Sequence, residues 1–73
     1  PVTEITFSLA QSQQVTLTVY NIAGQVVEVI HEGALSAGGH SFIWDGSSRA
    51  SGVYFYRLKT SDFVQTRKMV LMK

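Results

Sequence analysis

The side chains of this sequence alternate with period two almost from end to end. Ile5, Phe7 and Leu9 alternate with Thr6 and Ser8, and Val15, Leu17 and Val19 with Thr16 and Thr18. His40, Phe42 and Trp44 fall on one side of their segment, with Ser41, Ile43 and Asp45 on the other. Tyr54, Tyr56 and Leu58 alternate in the same way with Val53, Phe55 and Arg57. Extended backbone places every second residue on one face, and no window carries a sustained helical stripe. A chain patterned like this has to bury its apolar faces by stacking sheet on sheet. Residues 25–31 (QVVEVIH) break the rule, because Val26 and Val27 are adjacent and so are Val29 and Ile30. That strand either buries both faces in part or carries a bulge.

The turns are as legible as the strands. Asn21-Ile22-Ala23-Gly24 separates two β runs, with Asn21 able to hold the turn through its side chain and Gly24 able to take a left-handed position. Ser36-Ala37-Gly38-Gly39 interrupts the chain before His40. Asp45-Gly46 opens a polar loop that runs to Gly52, and predicts a side-chain-capped turn with the glycine at positive φ. Ser61-Asp62 forms a tight reversal. The expected strands lie near 3–9, 14–20, 25–31, 40–45, 53–60 and 64–72. Connections this short suit antiparallel neighbours, so the expected fold is all-β, a small antiparallel immunoglobulin-like β-sandwich of six to seven strands.

With 73 residues the chain makes one domain, 1–73, near the lower limit for burying a useful core. There is no cysteine to staple it, so stability must come from β packing or from a parent protein. No apolar run approaches the ~20 residues of a membrane-spanning helix. The chain begins at Pro1 without Met and opens with no signal peptide, so it reads as an excised fragment whose export signal would sit upstream.

Charge is divided along the chain. Residues 1–48 carry Glu4, Glu28, Glu32 and Asp45 and no cation. Residues 49–73 carry Arg49, Arg57, Lys59, Arg67, Lys68 and Lys73 against Asp62 alone. Either strands from the two halves lie side by side and offset one another, or the last two strands show a basic stripe to an acidic partner. A nucleic-acid surface would need more bases interleaved with exposed aromatics, so none is expected.

The tail is dense in β-formers, with Met69, Val70, Leu71 and Met72 between Lys68 and Lys73. A small domain normally lets its last residues fray. Here the composition predicts a strand zipped into the sheet, burying Met69 and Leu71 while Lys68 and Val70 face away.

Four blocks in order, VYNIAGQVV (19–27), GHSFIWDG (39–46), SGVYFYRL (51–58) and KMVLMK (68–73), resemble the type A C-terminal sorting domain of the type IX secretion system. The resemblance covers nearly the whole chain. The immunoglobulin-like domain of the flagellar hook-capping protein shares the Trp-Asp-Gly and Gly-Val-Tyr blocks, but usually with a longer connection than Ser47 to Ser51. The resemblance implies a folded, non-catalytic terminal domain fused to an exported hydrolase or adhesin. Such a parent reaches the periplasm by an ordinary signal peptide. The outer-membrane secretion machinery then recognises the domain and passes the cargo to the cell surface, where a sortase-like peptidase removes the domain in many members. Lys68, Met69, Val70, Leu71 and Lys73 align with the family's terminal signal, and Asn21, Gly24, Trp44, Asp45, Gly46, Gly52 and Tyr54 with its structural blocks.

Other chemistry finds little footing. Trp44 and Tyr54 belong to a core, with the tyrosine hydroxyl reaching a backbone partner, more than to a sugar-stacking platform. Asp45 lacks the neighbouring acids of a calcium site. His31, Glu32 and His40 form the one candidate metal trio, and adjacent strand residues point to opposite faces, so no metal or other cofactor is expected. No nucleophile elbow, phosphate-cradling loop or carboxylate pair in a cleft is present, and no enzyme is expected. The alternatives to sorting are an accessory carbohydrate-binding module and a structural spacer or assembly domain.

Overall fold

The computed structural model describes residues 2–72. Its strands run in chain order as β1 (Val2–Leu9), β2 (Gln13–Asn21), β3 (Val26–Leu35), β4 (Gly38–Asp45), β5 (Gly52–Thr60) and β6 (Val64–Leu71). All pairings are antiparallel, in a large sheet ordered β3-β2-β5-β6 and a small sheet of β1 and β4. The alternation therefore produces the expected sandwich, with six strands.

Each apolar stripe read from the sequence lines the space between the sheets. Ile5, Leu9, Val15, Leu17 and Leu58 form one buried cluster; Val19, Trp44, Tyr54, Met69 and Leu71 form the second. Half-buried Ile30 and Tyr56 pack against both clusters and join them. β2 pairs with both β3 and β5, and its inward residues Val15, Leu17 and Val19 are fully buried.

The irregular third strand is bulged. Pairing runs Leu17 with His31, then Thr18 with Val29, and Val19 with Glu28, then Tyr20 with Val26, so Ile30 and Val27 are both skipped. Both skipped residues turn toward the core, while Val26 and Val29 face solvent. β3 also continues past the expected limit at His31 to Leu35. Gly33 pairs with Val15, and the His31 Nε2–H donates to its carbonyl oxygen at 3.2 Å. The break before β4 is therefore confined to Ser36-Ala37. There the chain crosses between sheets, and the His40 Nε2–H donates to the Ser36 carbonyl at 2.7 Å.

The Asn21 turn forms as read. Asn21 Oδ1 accepts the backbone N–H groups of Ala23 and Gln25, both at 3.0 Å, and Gly24 adopts φ 81°. The tight reversal after β5 is held by Thr60 Oγ1, which accepts from the backbone N–H groups of Asp62 and Phe63.

The Asp45-Gly46 turn is capped as expected, with the Ser47 N–H donating to Asp45 Oδ1 at 2.9 Å. The positive φ expected at Gly46 is not found there. A glycine is needed for space instead: a Cβ on Gly46 would meet Leu71 Cδ1 at 3.0 Å and the Trp44 ring at 3.2 Å.

Candidate functional site

β6 is an edge strand, paired on one side only, with β5. Its residues divide by parity as the tail composition predicts. Met69 is 8 % exposed and Leu71 6 %, both in the second core cluster, whereas Val70 is 58 % exposed. Lys68 lies opposite Phe55 and Val70 opposite Val53, on the outer face of the large sheet. Met72 follows the strand and is exposed. Lys73, the last of the aligned signal residues, lies outside the described residues.

The loop after β4 seals the buried half of the tail. Leu71 packs on Gly46 and stands opposite Gly52, which opens β5. Trp44 stacks at a tilt on Tyr54, ring centroids 5.3 Å apart. The Tyr54 hydroxyl donates to the Ala50 carbonyl at 2.6 Å, the corner arrangement common in immunoglobulin-like sandwiches. Arg49 spans the sheets from the same loop, its Nη2 donating to the Val27 carbonyl at 2.9 Å. Of the residues in the four sequence blocks, Trp44, Asp45, Gly46, Gly52 and Tyr54 thus gather around the end of β6. Asn21 lies opposite Tyr54 in the sheet, and Gly24 belongs to the turn beyond it.

Glu28 is a partner that alternation concealed. Read on strict period two it has no assigned face, but the bulges at Val27 and Ile30 place it opposite inward Val19. There its Oε1 accepts the Trp44 indole N–H at 3.2 Å, satisfying the one polar group of the largest buried side chain. The signal available in the sequence was the pair of doubled valine-type positions flanking it.

The two charged halves do not offset one another strand by strand. Glu28 and Glu32 lie on β3, the basic residues Arg57, Lys59, Arg67 and Lys68 on β5 and β6, and uncharged β2 stands between them. Glu4 and Asp45 lie on the small sheet. A basic stripe results, but parity splits it. Arg57, Lys59 and Lys68 point outward, with Arg57 placed 5.2 Å from the Tyr20 ring centroid, while Arg67 faces the inner side opposite Tyr56.

Asp45 is the acid that its surroundings hold ionised. The Ser47 backbone N–H, and after it the Ser47 hydroxyl, hydrogen-bond its carboxylate and draw its pKa below the ordinary value of 3.8. The candidate metal trio is dispersed. His31 and His40 flank the Phe7 and Phe42 rings, and Glu32 pairs with Thr16 on the outer face. No group of three potential metal-binding side chains occurs among the described residues.

The sequence profile of the FlgD Ig-like domain matches residues 2–62. The chain belongs to the FlgD Ig-like domain family. No curated protein and no solved structure matches it. The FlgD Ig-like match takes in β1 to β5 and ends before β6. The strand that completes the second core cluster therefore lies beyond the matched region.

Proposed function

We propose that this FlgD-type immunoglobulin-like sandwich is a non-catalytic C-terminal sorting domain, which directs a secreted parent protein through the outer membrane by the type IX secretion system. Its partners are the outer-membrane machinery and, where the domain is removed, a sortase-like peptidase. The cargo fused upstream is a hydrolase or adhesin, delivered by way of the periplasm to the cell surface. What supports this reading is β6: an edge strand with Met69 and Leu71 locked into the core and Lys68 and Val70 presented outward. A strand so held offers a receptor a fixed pattern of side chains and a free backbone edge.

The family match alone favours a second reading, a structural spacer or assembly domain, since it needs nothing beyond residue 62. The two are separated in the full-length parent in its own host. Deleting residues 68–73 should leave active cargo in the periplasm. Because that deletion also strips Met69 and Leu71 from the core, a second variant changes only exposed positions, Lys68→Ala with Val70→Thr and Met72→Ser. Sorting requires both variants to lose surface display. Normal display by the surface variant would favour the spacer.

A further inference from the structure

The sandwich is unevenly covered: four strands lie against two. The consequence is visible along β6. Met69 and Leu71 are buried in the cluster with Trp44, while Gln65 and Arg67, on the same inner face opposite Leu58 and Tyr56, are exposed. Above them runs β1, whose pairing partner is β4, so its other edge is free. Between this edge and the uncovered strand lies a cleft of about 280 Å³, lined by Ile5, Phe7, Tyr56, Leu58, Gln65 and Arg67, with Glu4 and Thr6 on the β1 side.

We propose that this cleft accepts an extended peptide strand from a partner protein, added to the free edge of β1 as the third strand of the small sheet. Three features define the occupant. A strand edge offers N–H and C=O groups at regular spacing, which an extended backbone satisfies. A strand added there lies about 4.8 Å from β1 and about 10 Å above the large sheet, so its alternate side chains face half-buried Tyr56 and exposed Gln65 and Arg67, with Leu58 already buried beneath. The charge in the cleft is the Arg67 guanidinium, which has no hydrogen-bond or ion-pair partner among the described residues. The Glu4 carboxylate is turned to the other side, accepting from Ser41 Oγ at 2.8 Å. The incoming strand therefore carries a carboxylate among its inward residues. This surface is distinct from the outer edge of β6, and it stands or falls independently of sorting.

The test titrates the ¹⁵N-labelled 73-residue chain with the blocked heptapeptide Thr-Val-Thr-Glu-Thr-Val-Thr, whose inward set is Val, Glu, Val. The expected result is a shift of the Glu4–Phe7 amide signals and slowed exchange of β1 amides. Replacing the peptide Glu by Gln, or making Arg67→Gln, should weaken binding about threefold, the scale of a partly exposed ion pair. A peptide N-methylated at alternate residues should not bind. Arg67 is exposed, so its variant keeps the fold. The proposal is overturned by no shift at about 1 mM peptide, by equal binding of the N-methylated peptide, or by shifts confined to Thr66 and Lys68. Protection of β1 without peptide, through self-association, would overturn it too.

Discussion

Leu71 closes directly over Gly46, its two δ-methyls 3.0 and 3.1 Å from where a Cβ on that glycine would stand. This contact joins the last strand to the turn that ends β4, and with Trp44 on the other side it leaves no room for a methyl group. Gly46→Ala is expected to lower stability by about 1–2 kcal/mol, the scale of overpacking. Leu71→Ala alone should cost about 2–5 kcal/mol through the cavity it opens. In the double variant the alanine methyl enters that cavity, so the combined loss should fall short of the sum of the two. Urea midpoints of the four proteins measure the coupling, and strict additivity would refute the contact.

Asp45 makes the stability of the turn depend on pH. Its folded pKa is drawn down by the hydrogen bonds from Ser47, while in the unfolded chain it titrates near 3.8. A depressed folded pKa means that the contribution is fully present above the unfolded value and disappears as pH falls through the folded one. Asp45→Asn should therefore be less stable than the native chain at pH near 6, with the gap closing below about pH 4. Denaturation midpoints across that range are the measurement. A gap that stays constant down to the lowest pH would show that ionisation plays no part.

Arg67 and Lys68 are neighbours in sequence that face opposite ways. If the outer face of β6 is what the secretion machinery reads, Lys68→Glu should reduce capture of the chain by outer-membrane extracts, more at low salt than at high salt. Arg67→Glu should leave capture unchanged, because its side chain belongs to the inner cleft. Equal losses from the two reversals, or a loss of the same size at both salts, would count against the outer face.

Five of the six strands begin and end within two residues of where alternation and turn chemistry put them, and the exception is instructive. In β3 two skipped residues reset the parity, so the inward run passes through Val27, Glu28, Ile30 and His31 in a pattern that period two does not describe. The strand then runs on past His31 through Gly33, which carries no side chain to mark a face but pairs through its backbone with Val15. In the tail, parity puts Met69 and Leu71 on one face and Lys68 and Val70 on the other, and pairing with β5 turns the first face to the core.

The order of residues by itself determined which residues share a face in the regular strands, where the chain turns, and that Asn21, Gly24 and Asp45 hold those turns. These are local matters, decided within a few residues by side-chain alternation and short-range hydrogen bonds. Tertiary structure alone decided which strands share a sheet, and with that the isolation of β1 and β4 as a pair, the free edges of β1 and β6, and the separation of Arg67 from Lys68. It also decided that Glu28 meets Trp44 and that Leu71 meets Gly46. Period two says which residues point the same way, but it carries no address for the strand they will meet. That address is settled only when non-local faces pack against one another and exclude water.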